Sequence, residues 1–147
     1  MEGLDRTKEQ QVWQRVRGSS PPPQRLELRA MQLSALENWA AYRRAAASLS
    51  GAVREQLRHL QENARAQADS ISGIHRLTTG TPLPRKEQPA PAQTAEKLLR
   101  GCYHRAYRAL GEYTMRSAEG ETGTVFQTLA HLAAEECAAI ARLLGQI

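Results

Sequence analysis

The chain has 147 residues, enough for one domain with a real core. Hydrophobic residues make up 41% and charged residues 24%, the balance of an ordinary globular protein, and no apolar run approaches the ~20 residues that span a membrane. The formal charge is +5, and 17 of the 20 basic residues are Arg, but they are scattered among acids over the whole chain, so a nucleic-acid face is not expected.

The chain opens on MEGLDRTKEQQ, which is charged and has no apolar stretch. A signal peptide is therefore not expected, and the cytoplasm is the expected location. Asp5 to Arg17 can form a short amphipathic helix with Val12, Trp13 and Val16 on one side. Gly18-Ser19-Ser20-Pro21-Pro22-Pro23 ends it, because Pro fixes φ and removes a donor. Residues 1–23 are expected to be an N-terminal helix and linker, and residues 24–147 the main domain.

Four long helical patterns follow, around 24–49, 52–78, 93–117 and 122–146. Ser50-Gly51 separates the first two and Gly120–Gly123 the last two. Such short connections predict two antiparallel hairpins. Between them, residues 79–93 hold Gly80, Pro82, Pro84, Pro89 and Pro91 and cannot be helical. About 14 extended residues at ~3.3 Å reach ~46 Å, while a helix of about 27 residues is ~40 Å long. The segment can therefore cross the full length of a bundle, which would make the second and third helices parallel. A floppy linker between two hairpins is the other reading.

Apolar residues at 3-4 spacing mark one buried seam per helix. The seams read Leu28, Met31, Ala35, Asn38, Tyr42, Ala45, Leu49; then Val53, Leu57, Leu60, Ala64, Gln67, Ile71, Ile74, Thr78; then Leu99, Cys102, Ala106, Ala109, Tyr113; and Phe126, Leu129, Ala133, Glu136, Ile140, Leu143, Ile147. Each is large and apolar at its ends and small or polar in the middle. An ordinary bundle core would place Leu or Ile there too. A buried polar group without a partner costs ~1–3 kcal/mol, so the polar centre reads as a former site.

These patterns resemble rubrerythrin-like and ferritin-like proteins. Leu60 to Ala68, followed by Ile71, Gly73-Ile74 and Leu77-Thr78-Thr79-Gly80, is similar to the family's second helix, a Glu-x-x-His-Ala run that closes on a Leu-Thr-Gly stop. Ala106-x-x-Ala109-x-x-x-Tyr113 is similar to the Glu-x-x-Ala-x-x-x-Tyr of its third helix, Ala35 to Tyr42 has the same Tyr offset, and Ala133-x-x-Glu136-Cys137 is similar to its closing Glu-x-x-His helix. The resemblance covers residues 24–147. It implies an all-α, ferritin-like four-helix bundle with a long crossover between the second and third helices.

The family's di-iron site takes one Glu from each of two helices and Glu-x-x-His from the other two. At the matching positions this chain has Ala35, Ala64, Ala106 and Ala133 for the four Glu, and Gln67 and Glu136 for the two His. The resemblance therefore implies the fold without the metal chemistry, and no cofactor or catalytic residue is expected. Glu136 is expected to point inward, with Gln67 its protein partner and Tyr42, Tyr113 or Asn38 as further donors. On that basis Glu136→Gln should be tolerated, Glu136→Leu should be tolerated or stabilise, and Glu136→Ala should cost most. Glu37, Glu62, Glu112, Glu135 and His131 lie near the lost positions and could form a rearranged metal site. A two-residue offset turns a side chain ~200° around a helix, so they are expected to face water. His59, His75 and His104 are expected at the surface, and Cys102 and Cys137 as buried thiols.

The function expected is that of a non-catalytic structural or interaction protein, acting on an unknown protein partner or on a second copy through the Trp13 helix or the Trp39 face. A ferritin-like protein with rearranged metal ligands, or a binder of a small molecule or nucleic acid, is the alternative. No membrane partner is expected.

Overall fold

The computed structural model describes residues 27–86 and 89–147. The helix expected over Asp5–Arg17, the linker through Pro23 and the start of the first long pattern lie outside the described residues. Four helices form: α1 Leu28–Ala47, α2 Gly51–Thr79, α3 Ala95–Arg116 and α4 Gly123–Leu144. No strand occurs among the described residues. No helix among them is long and apolar enough to cross a membrane.

Local sequence sets the boundaries. Gly80 follows α2 with φ of 85°, in the left-handed region that side chains with a Cβ disfavour, and its N–H closes on the Arg76 carbonyl at 2.8 Å. Thr94 caps α3 by accepting a hydrogen bond from the Lys97 N–H at 3.2 Å, with Glu96 in the first turn to complement the helix dipole.

α1 packs against α2 and α3, and α4 packs against α3 and α2, so α2 and α3 sit on one diagonal and α1 and α4 on the other. One apolar cluster joins Ala41 and Ala45 of α1, Leu57 and Leu60 of α2, Leu98 and Leu99 of α3, and Ile140 and Leu143 of α4. A second joins Met31, Ile71, Ile74, Ala109, Tyr113, Phe126 and Leu129. The start of α2 thus shares an end of the bundle with the start of α3, and all neighbouring helices run antiparallel.

The segment between α2 and α3 touches both ends. Leu83 belongs to the second cluster and Ala90 packs on the first. Its early part is held to α2 by the Leu83 N–H, which donates to Ser72 Oγ at 3.3 Å, and by an ion pair between Arg85 and Asp69. Further along, Pro89 and Ala90 lie beside Trp39, Arg43 and Ala47 of α1.

The seams hold through their middles and loosen at their ends. Thr78 and Ile147 are exposed, since each lies at or beyond the last turn of its helix. α1 buries a second set of residues that the seam did not contain: Gln32, Leu36 and Ala41. A helix that contacts two others and also lies beside a returning segment buries more than one stripe.

Candidate functional site

Between the two apolar clusters the bundle carries a polar layer built on Glu136. This α4 residue is 1% exposed. Its Oε2 accepts hydrogen bonds from the Tyr42 hydroxyl and from Asn38 Nδ2, the latter at 3.1 Å. Its Oε1 accepts from Gln67 Nε2 at 2.7 Å. Three neutral donors from two helices therefore converge on one carboxyl group, the arrangement that a buried acid requires.

Each amide donor is oriented from behind. Gln67 Oε1 accepts the Tyr113 hydroxyl at 3.0 Å, which leaves the NH2 for Glu136 and for Asn63 Oδ1 at 2.7 Å. Asn63 Nδ2 in turn donates to the Leu132 carbonyl at 3.0 Å, tying α2 to α4. Asn38 Oδ1 accepts from Arg105 Nε at 2.7 Å, so its NH2 turns to Glu136 and to the Cys102 carbonyl, the second at 3.5 Å. All four helices contribute. The network is polarised toward Glu136, with the Arg105 cation one amide away.

Burial sets the proton affinities. The Glu136 carboxyl lies above its ordinary value because burial penalises the charged form, against the lowering effect of Tyr42, Gln67, Asn38 and Arg105. Burial, and then the nearby Glu136, also raise the Tyr42 and Tyr113 hydroxyls. The same burial pushes the Cys102 thiol up to about 12 and Cys137 up to about 11, so neither is an activated nucleophile. Both cysteines are free and buried.

The six positions that the sequence resemblance set against di-iron ligands are all buried: Ala35, Ala64, Ala106, Ala133, Gln67 and Glu136. Four carry no donor atom and the fifth is an amide already committed to three partners. This side-chain set does not fit two metal ions. Among the described residues, no group of three or more His, Cys, Asp or Glu side chains is placed to hold a metal.

The nearby acids and histidines do not join the layer. Glu62 is exposed and pairs with Arg58 at 2.5 Å, and His131 is exposed and lies 3.6 Å from Glu135, also exposed. Glu37 is half-buried. Glu112 corrects the expectation that these acids face water: it is 7% exposed and lies 3.7 Å from Arg116, whose guanidinium sits 5.7 Å from the centre of the Phe126 ring. Glu112 stands three residues after Ala109, not two, and three residues turn a helix by ~300°, which returns it to the flank of the seam. His59 and His104 are exposed, and His75, half-buried, lies 2.6 Å through Nδ1 from the Thr81 carbonyl.

Two members of the layer were not anticipated, Arg105 and Asn63. Asn63 is four residues before Gln67, the spacing at which helical side chains touch, and that signal was present. Arg105 lies on the flank of the α3 seam, and only the position of Asn38 on α1 gives it a role.

No model of a known protein family, no curated protein and no solved structure matches the chain.

Proposed function

We propose that the chain is a ferritin-like bundle in which a hydrogen-bonded layer around Glu136 has taken the place of a metal centre, and that it serves as a non-catalytic structural or interaction protein. The observation that carries this reading is the saturation of Glu136 by Tyr42, Asn38 and Gln67 at the level where Ala35, Ala64, Ala106 and Ala133 lie. Reading the segment between α2 and α3 as a ferritin-like crossover is supported by Leu83 at one end of the bundle and Ala90 at the other. Residence in the cytoplasm belongs to the same proposal and is supported by two free, buried thiols.

The interaction role is supported by the outer face of α3. Tyr103 and Tyr107 stack with ring centroids 6.3 Å apart, and Tyr107 and Met115 of this helix are 64% and 54% exposed. Large apolar side chains exposed together mark a surface that other proteins touch.

Elemental analysis of protein purified from iron-rich medium tests the central claim. Iron or manganese well below one ion per chain is the expected result. Two ions per chain, lost in a Glu136→Ala variant, would overturn it. Sedimentation of the chain over a range of concentrations, with and without Tyr107→Ser, tests whether the α3 face joins two copies.

A further inference from the structure

Gly111 lies well inside α3 and is exposed. It stands two residues from each of Ala109 and Tyr113, which face the core, and two residues turn a helix by ~200°, so it faces out of the bundle. Its φ is not positive, and a Cβ built on it meets nothing within 4 Å. Nothing inside the chain therefore requires a glycine there, although glycine is among the poorest helix formers. A position without a side chain does suit the close approach of a second backbone.

Tyr107 and Met115 stand four residues before and four residues after Gly111, in a row that drifts only ~40° per step around the helix. They are 64% and 54% exposed, and Tyr107 is braced by Tyr103, whose ring is inclined by only 7° to its own. Gly73 of α2 is equally open, but an apolar row does not cross it: Leu77 follows it by four residues, and Asp69, paired with Arg85, precedes it by four. Charge is divided along α3. On its exposed side Lys97, Arg100 and Arg108 outnumber Glu96, while the turn after it carries Glu119 and Glu121, both exposed.

This face is complementary to itself. A twofold axis through Gly111 sets two copies of α3 antiparallel, and positions equally far from the glycine on opposite sides then meet. Tyr107 covers the partner's Met115 at one side of the crossing, a ring–thioether contact, and the same contact repeats at the other. The cationic stretch of each α3 faces the acidic turn of the second copy, whereas a parallel pairing sets cations against cations. With no side chain between them at the crossing, the two helix axes can approach to about 8 Å. We propose that the chain forms a symmetric homodimer through the outer face of α3, with the two helices crossing at Gly111. The proposal rests on the reading of that face as an interaction surface and adds to it the partner, a second copy, and the geometry of the contact.

Sedimentation velocity of the full-length protein from about 1 µM to about 500 µM tests it. One helix per copy makes a small interface, so a dimer with a Kd on the order of 10 µM is expected. Gly111→Leu should raise the Kd at least tenfold while the Tm does not fall, because leucine is the better helix former and its Cβ meets open space. That pair of effects separates a blocked crossing from a damaged fold. Arg100→Glu and Glu121→Arg should each raise the Kd several-fold, and the double variant should recover it. Under mild oxidation Gly111→Cys should give a covalent dimer as the main product. Ala134→Cys on the exposed side of α4 should not, nor should the parent, whose Cys102 and Cys137 are buried. A monomer at every concentration overturns the proposal, as do equal cross-linking of Ala134→Cys and a charge-exchanged double variant no better than its singles. A dimer weakened by Tyr107→Ser but unchanged by Gly111→Leu overturns the crossing and leaves the α3 face standing as an interaction surface. Metal content bears on neither, so the reading of the central layer is tested separately.

Discussion

Gln67 and Gln32 are both glutamines on helices of the same bundle, 2% and 4% exposed. Gln67 sits in the central layer with its oxygen taken by Tyr113 and its nitrogen shared between Glu136 and Asn63. Gln32 lines a surface pocket, and its amide makes no hydrogen bond among the described residues but is not among the buried atoms left without a partner. The fraction of surface buried does not distinguish them; the completeness of the hydrogen-bond set does. A saturated buried amide fixes how four helices meet. An amide that makes no such bond and stays open to water fixes nothing between helices.

Breaking the saturated side should have the largest effect. Glu136→Ala removes the acceptor for Tyr42, Asn38 and Gln67 and enlarges a centre already made of alanines, and a loss of about 3–5 kcal/mol in denaturant unfolding is expected. Glu136→Leu should also destabilise, by about 2–3 kcal/mol, which reverses the expectation from the sequence that it is tolerated or stabilises: three donors aimed at the carboxyl would be stranded against a methyl group. Gln67→Leu leaves Tyr113, Glu136 and Asn63 each one partner short and should cost about 2–4 kcal/mol by the same measurement.

Acidity probes the same layer more gently. The Glu136 carboxyl is raised from its ordinary 4.5 mainly by burial, so the folded chain holds the proton more tightly than the unfolded chain. Its contribution to stability is full below about 4.5 and is lost as pH rises through the raised folded value. Glu136→Gln cannot titrate, so the melting temperature of the parent relative to this variant should fall between pH 4 and pH 8. A difference that stays constant over that range contradicts the assignment.

Gln32→Leu is the counterpart on the unsaturated side. It exchanges an amide open to water for an apolar group beside Leu33 and Leu36, so stability should be unchanged or rise by up to about 1 kcal/mol. A cost equal to that of Gln67→Leu would erase the distinction between the two glutamines. Smallest of all, Glu135→Ala and His131→Ala should stay within about 0.5 kcal/mol of the parent, because both side chains are exposed.

The sequence alone determined the four helices and most of their buried seams. Leu, Ile, Ala and Tyr at 3-4 spacing, with Gly and Pro between runs, leave few other ways to bury that surface. It also marked Glu136 as an inward carboxyl and Gln67 as its partner, because both stand on a seam among residues that are otherwise buried. Tertiary structure decided the rest. Asn38 and Gln67 turn their NH2 groups to Glu136 only because Arg105 and Tyr113, on a different helix, take their oxygens. Glu112 is buried because its flank of α3 lies where Arg116 and Phe126 meet. Gln32 shares a pocket with Pro84 and Lys86, and no periodicity within α1 encodes a neighbour more than fifty residues away. Helical spacing fixes which side of its own helix a residue occupies; what meets that side depends on how the helices and the returning segment are arranged in space.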